Sequence, residues 1–103
     1  MNVLILGSGG REHAIAWKIA QSKLLNRLYM LPGNPGTLSF AENLPGKVGD
    51  FDNIRREVLD KEIDMVVVGP EDPLVNGLKD FFRSDPLLKS VAFVGPDKYA
   101  ASL

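Results

Sequence analysis

The chain has 103 residues, 45% hydrophobic and 24% charged, which suits one globular domain of ordinary composition with room for a core. Twelve Lys and Arg against 13 Asp and Glu leave a net charge of −1, so nothing electrostatic points to nucleic acid or to an anionic membrane surface. With no cysteine and one histidine, disulfides, thiolate metal sites, cysteine nucleophiles and multi-histidine metal sites are excluded.

No signal-peptide pattern precedes the first apolar run, and no run approaches the ~20 residues of a membrane span; a cytoplasmic protein is the default expectation. That first run, Val3-Leu4-Ile5-Leu6, predicts a strand that passes straight into Gly7-Ser8-Gly9-Gly10. A helix is expected from residue 10 to about residue 22, with Ile15 and Ile19 four apart on one face. A second strand covers residues 28–31 and ends at Pro32-Gly33. A weak strand is expected near Lys47 and Val48, and the preceding Pro45-Gly46 makes it an edge strand at best. The next helix, residues 52–62, sets Ile54 and Val58 on one face, and its Arg55-Arg56-Glu57 and Asp60-Lys61-Glu62 runs read as a solvated face with i, i+4 pairs.

Met65-Val66-Val67-Val68 predicts a strand ending at Gly69, and Leu74, Val75, Leu78, Phe81 and Phe82 then follow the stripe of a helix packed on a sheet. The last strand, residues 91–94, ends at Gly95. Asp97 then reads as the N-cap of a helix the sequence barely begins, which predicts a fragment of a longer protein. Continuous apolar runs without alternation suit strands buried on both faces. Strands alternating with helices of this length predict right-handed βαβ units: an α/β, Rossmann-like open parallel sheet of five strands. Its expected order is 3-2-1-4-5, with a crevice beside strand 1 at the carboxyl ends, where each glycine-rich loop begins.

The first of these loops, residues 7–12, fails as a dinucleotide fingerprint. A Gly-x-Gly-x-x-Gly pattern begun at Gly7 needs glycine where Glu12 stands, and strand 2 ends without the acid that would hold a ribose 2′-hydroxyl. It fails as a Walker loop too, lacking the terminal Gly-Lys-Ser/Thr. What remains is a helix start receptive to an anion, with Arg11 able to fork onto phosphate oxygens and Glu12 able to accept from a hydroxyl or amine. The competing reading is that the glycines only let strand and helix pack closely while Arg11 is solvated.

The second loop, Pro32-Gly33-Asn34-Pro35-Gly36-Thr37, is a stiff rim or simply a turn. In the third, Gly69-Pro70-Glu71-Asp72-Pro73, two acids are held between prolines; Asp72 is assigned to helix capping and Glu71 to a ligand, since a carboxylate can accept from a vicinal diol. His13 is read as structural. Trp17 is expected to pack against the sheet or against another domain.

Together, Gly7 to Ala14, Pro32 to Thr37 and Val68 to Val75, followed by Gly95-Pro96, Lys98 and Ala100-Ala101, resemble the phosphoribosylamine–glycine ligases, also called glycinamide ribonucleotide synthetases. The resemblance runs over residues 1–103 with the loops in order. It implies the N-terminal, pre-ATP-grasp substrate-binding domain of an ATP-grasp ligase of purine biosynthesis. That family joins 5-phosphoribosylamine to glycine through a glycyl phosphate, releasing ADP and phosphate.

Carried over by position, Gly9, Gly10, Arg11 and Glu12 would face the phosphoribosyl or amine end, Asn34, Gly36 and Thr37 would line the site, and Glu71 would hold the ribose hydroxyls. ATP, magnesium and glycine belong, by the same resemblance, to later domains of the full-length enzyme. The 103 residues are therefore expected to carry no catalytic residue and no metal ligand, and to be inactive without the remaining domains of the same chain. Two other readings stay open: a module binding NAD(P) or a mononucleotide, and a non-catalytic domain that kept the fold.

Overall fold

A computed structural model describes residues 1–7, 17–32, 41–47, 49–68 and 75–94. Their elements are β1 (Asn2–Gly7), β2 (Arg27–Pro32), β3 (Glu42–Asn43), α1 (Phe51–Asp60), β4 (Met65–Val68), α2 (Val75–Ser84) and β5 (Ala92–Val94); residues 17–19 are also helical. The strands form one five-stranded sheet in the order β3-β2-β1-β4-β5, with every pair parallel. This is the fold class and the strand order that the alternation of apolar runs and helical stripes predicts.

Side chains of a strand alternate between its two faces, so the continuous apolar runs feed two separate cores. Leu4 and Leu6 join Tyr29, Leu31, Val66 and Val68 on one face, beneath Ile54 and Val58 of α1 and Leu78 and Phe82 of α2. Val3 and Ile5 join Leu28, Met30 and Val67 on the other, where Ile19 packs. Each such side chain, taken out of water, contributes about 1.5–3 kcal/mol before its entropic cost. An aromatic row ties the first face together: Phe51 and Phe81 have ring centres 5.6 Å apart, and Phe82 and Phe93 5.4 Å.

The start of α1 is capped by Asp50, whose carboxylate accepts from the Asn53 N–H at 3.2 Å. Its end is a Schellman turn: the Ile63 N–H donates to the Val58 carbonyl at 2.9 Å, and the Glu62 N–H reaches Leu59 at 3.4 Å. Glu62 holds the left-handed position, φ +52°, that glycine usually fills.

Two expectations need correction and one is narrowed. The edge strand is Glu42–Asn43, paired with Tyr29 and Met30, and Lys47 lies outside it. The Leu44 N–H still reaches the Met30 carbonyl at 2.7 Å, but beyond it Pro45 has no N–H to give and its carbonyl accepts from Asn53 of α1 instead. Of the two places expected for Trp17, its 58% exposure removes the sheet and leaves a surface against another domain. Ile19, fully buried, takes the place on the sheet, and at ~100° per residue two positions apart fall on opposite sides of a helix. The described ion pairs are not i, i+4 contacts within α1: Arg55 crosses to Asp85, which follows α2, and Lys61 pairs with its neighbour Asp60.

Candidate functional site

Strands β1, β2, β4 and β5 stop within two residues of one another. Register aligns Gly7 with Pro32, Leu6 with Val68, and Val67 with Val94. The segments 8–16, 33–40, 69–74 and 95–103 therefore leave the sheet from a single edge. With neighbouring strands about 4.8 Å apart, these exits spread over about 15 Å, the scale of one small substrate. The chain runs from β1 to β2 and β3 on one side, then returns to β4 and β5 on the other, so the connections part between β1 and β4. Open α/β sheets bind ligands in the crevice at such a switch point. Gly7 stands at its lip with φ +136°, a conformation strained for any residue with a side chain.

The predicted site residues Gly9, Gly10, Arg11, Glu12, Asn34, Gly36, Thr37 and Glu71 lie outside the described residues, as do His13 and Asp72. The structure fixes the strand ends that carry their loops. Those ends, Gly7, Leu31-Pro32 and Val68, are uncharged, so charge at the rim has to come from the loops. Among the described residues no group of His, Asp and Glu could hold a metal ion.

One further rim loop is described, and the sequence reading missed how it is held. Between β3 and α1, the Asn53 side chain is buried and its Nδ2 donates to the Pro45 carbonyl at 3.0 Å, while its Oδ1 accepts from Arg56. Gly46 passes so close, at φ +129°, that a Cβ there would stand 2.1 Å from Asn53 Nδ2. Pro45-Gly46 ahead of a polar residue on a helix's apolar face was the available signal. Asn53 thereby holds Pro45 against α1, with both ends of its amide bonded within the fold.

The comparisons with known proteins agree with this architecture. A family model described as "Phosphoribosylglycinamide synthetase, N domain" matches residues 1–103. The chain belongs to that family. Phosphoribosylamine–glycine ligases from Mesorhizobium japonicum and Agrobacterium fabrum are each 50% identical to it over 103 residues, covering 100% of this chain and 23% of their own length. A crystal structure of phosphoribosylamine–glycine ligase from Thermotoga maritima superposes with a TM-score of 0.52 at 31% identity, over 72% of this chain and 17% of that one. The chain thus spans about a quarter of the length of the curated relatives it matches.

For a phosphoribosylglycinamide synthetase N domain, the contrast between the uncharged strand ends and the charged loops has a chemical meaning. The described strand ends are uncharged, and the sequence carries Arg11, Glu12 and Glu71 in the segments that follow β1 and β4. Away from the rim, Asp85 accepts from Arg55 Nε at 2.5 Å and from the Leu87 N–H at 2.9 Å. Those bonds, the guanidinium first, hold its carboxyl below the usual carboxylate range. The pair ties α1 to the turn after α2 and so steadies the layer beneath the loops.

Proposed function

We propose that this chain is the substrate-binding N-terminal part of a cytoplasmic ligase of purine biosynthesis that joins 5-phosphoribosylamine to glycine and converts ATP to ADP and phosphate. The observation that carries the reading is the common edge: four loop exits, within two residues of one another in register, around a switch point whose lip is Gly7. The activity named for the 50%-identical relatives, phosphoribosylamine–glycine ligase, supplies the substrates. Glycine-rich backbone after β1 suits the phosphate, because N–H groups at a helix start favour an anion. Arg11 adds a planar fork for the phosphate oxygens. Glu12 accepts from the amine, and Glu71 accepts from two neighbouring ribose hydroxyls. Asn34, Gly36 and Thr37 complete the wall.

In this account the domain binds and orients; the bond-making groups lie elsewhere in a longer chain. ATP with magnesium, held by the other domains, supplies the activation of the glycine carboxylate. The test is steady-state kinetics of a full-length enzyme carrying this domain. Arg11→Ala or Glu71→Ala is expected to raise the KM for phosphoribosylamine about tenfold or more, roughly 1.4 kcal/mol, with the KM for ATP within about twofold of the unmodified enzyme. An unchanged phosphoribosylamine KM in both variants overturns the assignment of these loops.

A further inference from the structure

Away from the rim, on the α2 side of β5, lies a cavity of about 160 Å³. Its apolar wall is Phe82, Leu88, Val91 and Phe93, of which Phe82 and Leu88 are fully buried. Lys79, Arg83 and Lys89 stand around it, and among the described residues no acid lines it. Lys79 and Arg83 are one turn apart on α2, a like-charge spacing that costs a helix stability. Among the described residues none of the three cations has an ion-pair or hydrogen-bond partner; Asp80, next to Lys79 in the chain, is not among the residues lining the cavity, and Asp85, two residues after Arg83, is engaged by Arg55. Leu87, beside Leu88 in the chain, is 59% exposed.

The cavity adjoins the outer edge of β5. β5 ends the sheet, and among the described residues no strand lies outside it. The Ala92 N–H points inward and donates to the Asp64 carbonyl at 2.9 Å. In a parallel strand the main-chain groups of successive residues face opposite sides, so the Phe93 N–H and carbonyl face outward, next to the cavity its ring lines. The site therefore offers a slot, three cations and a main-chain donor and acceptor side by side.

We propose that this edge docks an extended acidic peptide segment of a partner protein, which adds to β5, places one apolar side chain in the cavity, and sets carboxylates against Lys79, Arg83 and Lys89. Size selects this class. A cavity of about 160 Å³ is below the roughly 300 Å³ of a small-molecule cleft yet sufficient for one side chain. Strand addition draws affinity from main-chain hydrogen bonds and specificity from alternate side chains, which matches what the edge presents. A second copy of this chain is disfavoured, since pairing β5 with itself would bring two cationic patches together.

The probe is a fluorescein-labelled octapeptide alternating glutamate with valine around one phenylalanine, followed by anisotropy as the 103-residue chain is added at low salt. Saturable binding is expected, weakened at least about tenfold by Lys79→Glu with Arg83→Glu, and likewise by N-methylating alternate peptide amides. Circular dichroism checks that the double variant folds; if it does not, Lys89→Glu and a salt titration carry the same expectation. Lack of saturation up to about 1 mM overturns the proposal. So does equal binding by the N-methylated peptide, equal competition by phenylacetate, which would mean a small apolar anion only, or equal competition by single-stranded DNA, which would mean a general polyanion surface.

Discussion

The two ends of the sheet are built on opposite plans. At the amino ends, main chain and side chain are tied across neighbouring strands. The Asn26 N–H donates to the Met1 carbonyl at 2.7 Å, the Asn2 N–H to Asp64 Oδ2 at 2.7 Å, and the Asp64 N–H back to the Asn2 carbonyl at 2.8 Å. Asn2 Nδ2 also donates to the carbonyls of Lys61 and Glu62, at 3.1 and 3.2 Å, which closes the end of α1. At the carboxyl ends the strands stop within two residues of one another, on Gly7, Pro32, Val68 and Val94, where the glycine- and proline-rich segments of the sequence begin. The amino end ties its polar groups across strands, whereas at the carboxyl end Asn53 makes side-chain bonds that hold the loop after β3, and the segments carrying the proposed site residues follow the other strand ends. The proposed function places recognition at the carboxyl edge, opposite the bonds that tie the amino edge together.

Substitutions at the two edges should separate in the same way. The largest effect is expected at the lip of the rim: Gly7→Ala forces a side chain into φ +136° and should cost about 2 kcal/mol in denaturant unfolding, while also raising the phosphoribosylamine KM of the full-length enzyme. At the closed end, Asn2→Ala loses both Nδ2 bonds and should cost about 1.5 kcal/mol by the same measurement, with substrate KM values unmoved. The smallest effect has the opposite sign. Glu62→Gly relieves a left-handed residue and should raise stability by about 0.5–1 kcal/mol, the strain removed exceeding the entropy that glycine adds to the unfolded chain. A substrate effect from Asn2→Ala without loss of fold would break the separation of the two edges.

The parts legible in the sequence were those written in local pattern. Runs such as Val3 to Leu6 and Met65 to Val68 announced strands buried on both faces, and Leu78 and Phe82 announced the packed face of α2. Their alternation was enough for the strand order. The rim was legible as punctuation, glycine or proline after each run, and the register of the strands brings those exits to one edge. The closed end was not legible, because its bonds join residues far apart: Asn2 meets Lys61, Glu62 and Asp64 only once β1 and β4 are paired. The Asn53 lock was hidden because an asparagine in a helix reads as surface until the loop it holds is seen. For Trp17 the sequence left two places, the sheet or another domain, and only the structure removes the first, because Ile19 fills the inward place of that turn.

The central claim, that the substrate meets the carboxyl end and not the amino end, is tested most directly by amide chemical shifts of the ¹⁵N-labelled chain titrated with ribose 5-phosphate. Gly7, Val68 and Val94 report on one edge; Asn2, Asp64 and Ala92 report on the other. The account predicts saturable shifts at Gly7 and Val68, with Asn2, Asp64 and Ala92 unmoved. Shifts confined to the amino-end amides, or none at either edge up to saturating sugar phosphate, would contradict it.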